Sequence, residues 1–538
     1  MALKIARIFF LVLLLSLISC RENARKKGNS ITYNIGGEPS TLNPLSAQDS
    51  FTSAVHAYTF ETLLDKDIET FEWKPMLATE WKISDDKKTF EFKLREGVKW
   101  HDGKEVTAED VKFSYDVIYT DAWKAIQVRP YYDSIESVDI LDTYRVRFKV
   151  KDDYFQNFDM AAGLTILPKH FYGNKKNKKI FGKKIIGTGP YKLVKYDRGM
   201  KLVLLQNPDW WGRSVESEKD SHLIKKLNLK MVQEESVYLE LLKRGDLDYQ
   251  GFRPEGYVKK TNGEIWDEKI VKVKTENKTP KGYSFIGFNL KHPILKDREV
   301  RKALSMLFNR PLMLKKFEYN LSTAANGPIY VQSDYNNPAV KPVEYDPQGA
   351  LKILRNAGWK DTDKDGVLDK IINGKRKSLS ITILEPLADV MKYHTVFKED
   401  ASKVGVEIKI KNIEWNSFVK LLDEKNFDAV RLAWSGGGVE WDPKQIWHSD
   451  SIEGASSNFI SYSNPEVDRL IDQARKLYDR NERIPLLRRV HAIIAADYPY
   501  IFWFNPQFSL YGHTKRVIKQ KDTYKYGIGQ QYWKVKPL

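Results

Sequence analysis

Four aspartates between residues 361 and 369 have the spacing that best suits a metal ion. They are Asp361, Asp363, Asp365 and, at the ninth position of the segment, Asp369. Alternate aspartates can converge their carboxylate oxygens on one point, and Gly366 permits the sharp turn with which calcium loops begin. The twelfth position holds Ile372, where an EF-hand needs a bidentate glutamate. Two interpretations therefore stay open: a structural calcium site, and a plain turn rich in aspartate and glycine.

The sequence does not predict a catalytic centre. It holds no metalloprotease helix, nucleophile elbow, phosphate-binding loop or dinucleotide fingerprint. His101 adjoins Asp102, but neighbouring residues on a turn rarely aim at one reacting atom. Acidic pairs such as Asp85-Asp86 are typical of solvated turns. We therefore expect no enzyme, and a secreted hydrolase that uses paired carboxylates is the alternative from another class.

The only cysteine, Cys20, follows a segment typical of secretion. Lys4 and Arg7 precede an apolar run over residues 8–18, and the residues that end in Cys20 resemble a bacterial lipobox. A charged start, a short apolar run and small residues before the cut define a signal peptide. The run is too short for an ordinary membrane span, although an uncleaved anchor helix is the alternative. We predict a signal peptide over 1–19, lipidation of Cys20 and a polar tether over 20–27.

The charge balance is basic but does not indicate nucleic acid. The chain of 538 residues has 88 Lys and Arg against 71 Asp and Glu, a formal charge of +17. The basic residues are scattered among acids and are dense only at 175–184, and no nucleic-acid-binding motif accompanies them. We expect a lipid surface or solvation to account for the charge. A chain of this length should divide into several lobes.

The elements that must position a site alternate between strands and helices. Phe90, Phe92 and Leu94 share one face of a predicted strand, and Thr107 with Asp110 predicts the start of the next helix. A half-exposed strand is predicted over 144–150. Further helix starts are predicted at Asp297, Asp346 and Asn464. Mixed elements over such a length predict α/β lobes.

The segment 75–118 reads PMLATEWKISDDKKTFEFKLREGVKWHDGKEVTAEDVKFSYDVI. It resembles the signature region of extracellular solute-binding protein family 5, which includes oligopeptide-, dipeptide- and nickel-binding lipoproteins of ABC importers. Shorter resemblances follow in the family's order: TGPYKL at 188–193, NPDWW at 207–211, GDLD at 245–248 and FN at 288–289. Together they cover nearly the whole chain after the signal peptide.

The resemblance implies an α/β fold, a two-lobed periplasmic-binding-protein clamp of class II and the large peptide-binding type, with an extra third lobe. Lobe I would comprise 28–63, 186–284 and 507–538. Lobe II would comprise 64–185, and lobe III 286–506. Such a clamp hinges shut on its ligand at the junction of the lobes.

The resemblance also points to ligand contacts in two segments, 47–52 and 428–442, and beside them. The expected ligand-binding residues are Asp49, Ser50, Phe51, Trp415, Arg431, Trp434, Ser435, Gly436, Gly437, Glu440, Asp442 and Asn458. Tryptophans offer broad apolar faces, glycines permit close approach, and an arginine suits a ligand carboxylate. The alternatives are core packing for the tryptophans, a loop without contacts for the glycines and a structural ion pair for Arg431.

Position 437 departs from the family. Many peptide-binding relatives place an aspartate three residues after the tryptophan that matches Trp434, where it pairs with the α-amine of the ligand. This chain has Gly437 there, and a buried ammonium without a partner is costly. Glu440 and Asp442 are the nearest substitutes, unless both face solvent. We therefore predict that binding does not follow the standard amine-anchored mode.

The combined prediction is a lipid-anchored substrate-binding protein that captures peptides and delivers them to the permease of an ABC importer. It would act in the cell envelope, on the periplasmic or extracellular face, as a monomer. The permease and the ATPase would be separate partners, and no cofactor is expected apart from the candidate calcium. Within the class, the alternative ligand is a sugar or a chelated metal. A structural or adhesive surface lipoprotein is a further alternative.

Overall fold

The structure is a computed structural model that describes residues 28–536 except 48, 121, 122, 124, 126, 127 and 455. The predicted signal peptide, the lipidation site Cys20 and the tether lie outside the described residues. Among the helices that are described, none is both long enough and apolar enough to cross a membrane.

A seven-stranded mixed sheet collects strands from distant parts of the chain. Ser30–Asn34 lies at its centre and runs parallel to both neighbours, and the outer pairs are antiparallel. In spatial order the strands are Ile270–Thr275, Ser509–Thr514, Tyr249–Gly251, Ser30–Asn34, Lys226–Lys230, Lys201–Gln206 and Tyr191–Asp197. The α-helices in these stretches are Ser50–Thr59, Glu235–Lys243 and Glu264–Lys269. Two short hairpins pair Leu64–Lys66 with Trp73–Pro75 and Val517–Ile518 with Lys534–Val535.

A four-stranded antiparallel sheet contains the segment that carries the family signature. Its strands in spatial order are Ala78–Ile83, Thr89–Leu94, Arg145–Val150 and Ile135–Asp142. The predicted capping box of Thr107 and Asp110 is confirmed at the start of helix Ala108–Asp116. Phe90, Phe92 and Leu94 are buried on one face, as predicted. Short helices Arg129–Tyr132, Asn157–Ala162 and Lys169–Tyr172 complete this four-stranded unit.

A five-stranded mixed sheet organises most of the second half of the chain. Its order is Glu407–Asn412, Ser380–Glu385, Ala429–Trp434, Tyr283–Phe288 and Tyr500–Phe502. The helices of this five-stranded unit are Arg298–Met306, Arg310–Lys316, Pro347–Asn356, Met391–Ser402, Trp415–Asp423, Lys444–Trp447, Pro465–Arg475 and Arg480–Asp497. Two further hairpins pair Ser322–Ala324 with Phe504–Pro506 and Asp369–Ile372 with Lys375–Ser378. The predicted caps Asp297, Asp346 and Asn464 are confirmed, since each accepts a hydrogen bond from the backbone of its helix.

The hydrophobic cores separate the molecule into two parts. One continuous core joins the seven-stranded and four-stranded sheets, and it runs from Ile31 to Val535. The five-stranded sheet has its own core on each face: Ile286 belongs to one of them and its neighbour Phe285 to the other. The four-stranded unit is therefore fastened to the seven-stranded unit, and the five-stranded unit packs independently.

The chain crosses between these parts through two short connections. The first joins Thr275 to Tyr283, and the second joins Pro506 to Ser509. A few residues at element ends can absorb a hinge rotation, so the two connections suit a clamp. The strand Tyr283–Phe288 lies wholly in the five-stranded sheet, so the expected limit of lobe I at 284 falls inside it. The other lobe limits stay predictions.

Candidate functional site

Trp434 lies where three cavities meet between the two parts of the molecule. It ends the strand Ala429–Trp434, opposite Tyr283 of the neighbouring strand. Its ring stacks on Phe285 at 6.0 Å and contacts Phe459 at 5.9 Å between centroids. Cavities of about 370, 400 and 760 Å³ all include Trp434 in their walls. Trp434 therefore packs on the core and also faces open space, which combines both sequence interpretations.

The 760 Å³ cavity lies between the four-stranded and five-stranded units. Lys66, Trp73 and Asp159 line one side, and the segment 434–442 lines the other. Five of the expected ligand-binding residues therefore line this cavity, because they belong to one segment of the chain: Ser435, Gly436, Gly437, Glu440 and Asp442. Sequence reasoning missed the opposite wall, because nothing in the local pattern of Lys66 or Asp159 distinguishes it from an ordinary surface residue.

The glycines of this segment differ in what surrounds them. A Cβ atom on Gly436 would lie 1.8 Å from the carbonyl oxygen of Pro280, so only glycine fits there without a shift. A Cβ atom on Gly437 would meet no atom within 4 Å. The first glycine allows two loops to approach closely, and the second borders open space where a larger side chain would fit.

Glu440 and Asp442 already have cationic partners inside the protein. Glu440 accepts hydrogen bonds from Arg480 Nε at 2.9 Å and Arg483 Nη2 at 2.6 Å. Asp442 forms an ion pair with Arg475 and accepts a hydrogen bond from Tyr154 at 2.8 Å. Both carboxylates therefore have cationic partners before any ligand binds, and their role as amine partners stays a prediction.

The 400 Å³ cavity is lined by Asp49, Trp415 and Trp434 among the expected residues. Trp415 begins helix Trp415–Asp423, contacts Phe51 edge to face at 5.9 Å and stacks on Phe418 at 5.7 Å. Phe51 thus supports the wall through Trp415 and does not itself line the cavity. The apolar side chains of Leu164, Leu422 and Leu432 also line this cavity.

Asp49, Ser50 and Asn458 differ in their surroundings. Asp49 caps helix Ser50–Thr59 and accepts hydrogen bonds from Thr52 N at 2.7 Å and Ser40 N at 3.2 Å, so its carboxylate holds local structure. Ser50 is exposed and lines none of the three cavities. Asn458 is fully buried, and its amide bonds the backbone of His448 and Tyr462. The Asn458 side chain therefore holds a loop in this structure, and its contact with a ligand stays a prediction.

The 370 Å³ cavity is lined by both arginines and carboxylates, among them Arg253, Arg431 and Asp389. Arg431 lies with its guanidinium carbon 5.2 Å from the centre of the Trp503 ring, and burial lowers its pKa, opposed by Glu385. No carboxylate in the described part of the chain forms an ion pair with Arg431, which weakens the interpretation as a structural ion pair. Arg253 faces Asp389 at 3.3 Å on another wall. Among the cations that the structure describes on the walls of this cavity, the guanidinium of Arg431 is therefore the one without an ion pair, in a cavity that Glu318 and Asp389 also line.

The acidic segment 361–369 forms an exposed turn that lines none of these cavities. The carboxylates of Asp361, Asp363 and Asp369 lie within 4.8 Å of one another. Asp369 accepts hydrogen bonds from Thr362 N and Oγ1, which lower its pKa, and Asp363 pairs with Arg376 at 2.7 Å. Asp365 accepts from Val367 N at 2.8 Å and is outside the cluster. The oxygens thus have protein donors, as in a plain turn, and calcium stays a prediction.

The adjacent pair His101 and Asp102 does not form a catalytic dyad. His101 Nε2 lies 3.0 Å from the carbonyl oxygen of Gly189, and burial lowers the pKa of His101 to about 4. Asp102 instead pairs with His170 at 2.7 Å. The two side chains hold neighbouring loops.

Comparison with known proteins places these features in one family. The family model described as "Bacterial extracellular solute-binding proteins, family 5 Middle" matches residues 72–456. The oligopeptide-binding protein AppA of Bacillus subtilis (strain 168) is 30% identical over 505 residues, which cover 91% of this chain and 88% of the relative.

Solved structures agree with that match. The structure of AppA from Bacillus subtilis in complex with a nonapeptide has a TM-score of 0.84 and 27% identity, and covers 95% of this chain and 99% of its own. NikZ from Campylobacter jejuni in complex with Ni(L-His) has a TM-score of 0.78 and 25% identity, with coverage of 94% and 99%. The predicted fold, a two-lobed α/β periplasmic binding protein of the peptide-binding type, is confirmed.

Proposed function

Because the chain belongs to family 5 of the bacterial extracellular solute-binding proteins, we propose that it captures peptides outside the cytoplasmic membrane and delivers them to an ABC permease. The relatives named above are binding proteins for oligopeptides and for a nickel–histidine complex. The function proposed for this chain is accordingly capture and release of a solute, without chemical change to it.

The observation that carries the proposal is the meeting of three cavities at Trp434. Pockets for single small molecules usually have volumes of roughly 300–1,000 Å³. Adjoining cavities of about 370, 400 and 760 Å³ suit a long ligand that runs between the two parts of the molecule. An extended peptide of several residues has that shape, whereas a dipeptide or a single chelated ion would fill only one cavity.

Capture would depend on the two connections 276–282 and 507–508. A ligand drives closure only if it binds the closed state more tightly than the open state. A peptide that contacts Trp434 on one side and Trp73 on the other would meet both walls only when the units are closed. Closure would also supply the shape that the permease recognises.

The remaining parts of the proposal concern the cell envelope. Lipidation of Cys20 would anchor the protein to a membrane, with residues 21–27 as the tether. The permease and the ATPase would be separate chains, and the binding protein would act as a monomer on the periplasmic or extracellular face.

Calorimetry with peptides of two to twelve residues tests the function, together with native mass spectrometry of protein purified without denaturation. We expect co-purified peptides and sub-micromolar to micromolar affinity that is highest above four residues. Chromatography of the ligand after incubation should show no cleavage. Retention of a sugar or a chelated metal with no response to any peptide would refute the peptide assignment, and cleavage would support the hydrolase alternative.

A further inference from the structure

Two lysines from different parts of the molecule line the 760 Å³ cavity. Lys66 ends the strand Leu64–Lys66, beside the four-stranded unit, and Lys281 lies in the connection that precedes Tyr283–Phe288. The other charged residues that line this cavity are Asp159, Glu440 and Asp442. Whether the cavity favours an anionic or a cationic ligand depends on which of these charges is already neutralised.

Lys66 has only a distant counter-ion. Its Nζ lies 3.8 Å from the centre of the Trp73 ring and 4.0 Å from Oδ1 of Asp159. That same oxygen accepts a hydrogen bond from Trp73 Nε1 at 2.9 Å. Burial lowers the pKa of Lys66, and the negative charges of Asp159 and Glu440 act in the opposite direction. The ammonium has therefore lost water without gaining a close ionic partner.

Lys281 is held by neutral groups. Its Nζ donates to Asn277 Oδ1 at 2.9 Å and to Ser509 Oγ at 3.2 Å. Within the described ranges it forms no ion pair, and burial lowers its pKa, opposed by Glu276. A ligand carboxylate near Lys281 would replace lost hydration by a charge-assisted hydrogen bond.

The three acids that line the same cavity already have close partners in the protein. Glu440 is bonded by Arg480 and Arg483, Asp442 is paired with Arg475, and Asp159 is shared between Trp73 and Lys66. A ligand ammonium would therefore compete with arginines at Glu440 and Asp442, and at Asp159 with the indole N–H of Trp73. At Gly437 the chain offers no charge at all.

We propose that the 760 Å³ cavity receives an acidic group of the peptide, recognised by Lys66 and Lys281, and that it does not anchor a free α-amine. The inference rests on the proposed peptide-binding function and names the ligand chemistry of one part of that site. The acidic group is either a side-chain carboxylate or the terminal carboxylate. Both have the same chemistry, and the test separates them.

The test is calorimetry with octapeptides in which a single Glu is moved along an Ala/Gln background, each compared with the matched Gln peptide. Every peptide is also prepared N-acetylated and, separately, as the C-terminal amide. For at least one position of the acid, we expect the Glu peptide to bind about tenfold more tightly than its matched Gln peptide. A factor of that size corresponds to one hydrogen bond to a charged group. If the terminal carboxylate is the group recognised, the C-terminal amide peptide should instead bind about tenfold more weakly than the peptide with a free terminal carboxylate. N-acetylation should leave affinity within about threefold.

The variants Lys66→Met and Lys281→Met attribute the effect. Each should reduce the acid preference, measured as the ratio of the affinities for the Glu peptide and its matched Gln peptide, and Lys66→Arg should retain that preference. Lys82→Met, at an exposed lysine of strand Ala78–Ile83 outside the cavities, is the matched control. Thermal unfolding confirms that each variant is folded.

The outcomes distinguish failure of the proposed peptide-binding function from failure of the acidic-group inference alone. If no peptide binds, the proposed function fails. If peptides bind with no preference for an acid at any position or at the terminus, this inference is overturned and the function stands. An acid preference that survives both Met variants also overturns it, as does loss of binding on N-acetylation.

Discussion

The phenol of Tyr154 donates a hydrogen bond to Oδ2 of Asp442 at 2.8 Å, across 288 residues of sequence. It joins the four-stranded unit to the five-stranded unit beside the 760 Å³ cavity. Arg475 pairs with the same carboxylate and donates to the carbonyl oxygen of Pro130 at 2.7 Å. Its own carbonyl accepts from Phe155 N at 2.8 Å. These contacts exist only when the two units are together, so we expect them to stabilise the closed state proposed above.

Tyr154→Phe should weaken ligand binding by accelerating release. The variant removes one hydrogen bond across the units, worth about 1 kcal/mol, and leaves the pairing of Asp442 with Arg475 in place. We expect the dissociation rate of a bound peptide to rise roughly three- to tenfold with little change in the association rate. Stopped-flow fluorescence measures both rates.

Tyr144→Phe is the matched control for that experiment. The phenol of Tyr144 bonds Glu105 at 2.7 Å on the surface of the four-stranded unit, away from the five-stranded unit. Its loss should not change peptide release. Equal dissociation rates for Tyr154→Phe and the unchanged protein would contradict the assignment of this contact to the closed state.

Gly436→Ala should be far more damaging than Gly437→Ala. The added methyl group would lie 1.8 Å from the carbonyl oxygen of Pro280 at position 436 and would meet nothing within 4 Å at position 437. We expect Gly436→Ala to lower the free energy of unfolding by about 1–3 kcal/mol and to weaken peptide binding. Gly437→Ala should stay within about 0.5 kcal/mol. Urea denaturation of the two variants side by side checks this, and equal effects would refute the close approach.

Acidification should destabilise the protein between pH 6.5 and about 4. Burial lowers the pKa of His56, His101 and His491 to about 4 from 6.5, so in this range the unfolded chain binds more protons than the folded protein. By linkage the free energy of unfolding rises with pH through that window and levels off above it. Urea denaturation at pH 4, 5, 6.5 and 7.5 measures the trend.

Glu61→Gln should steepen that dependence. Burial raises the pKa of Glu61 to about 7 from 4.5, although the indoles of Trp210 and Trp211 donate to its carboxylate. Between pH 4.5 and 7 the folded protein binds more protons at this group, so its contribution to stability falls as pH rises. The pH dependence of this contribution is therefore opposite in sign to that of the histidines. Removing the group should enlarge the loss on acidification from pH 7 to 4.5, and an unchanged slope would contradict the raised pKa.

Cys20→Ala should release the protein from membranes without altering peptide affinity. The predicted anchor at Cys20 precedes the predicted tether, so it is separate in sequence from the described residues that line the cavities. Membrane fractionation of cells that produce the variant, with calorimetry on the released protein, tests both statements. Continued membrane association that only detergent removes would refute lipidation at this residue.

Local physics made part of the fold predictable from the sequence. The helix starts at Thr107, Asp297, Asp346 and Asn464 are confirmed because a cap is formed by a side chain and a backbone group two or three residues away. The alternating strand with Phe90 and Phe92 is confirmed for the same reason, since its buried face follows from a period of two. The ordered motifs identified the family, and with it the fold.

Only the tertiary structure decided the charges of the site. Glu440 and Asp442 are the acids nearest to Gly437 in sequence, and only the fold shows that Arg475, Arg480 and Arg483 pair with them from 33 to 43 residues further along the chain. Lys66 and Lys281 line one cavity although more than two hundred residues separate them. The sequence by itself determined the family, the elements and the segment around Trp434. Which charge remains available to a ligand depends on long-range pairing and burial, and no local pattern encodes either.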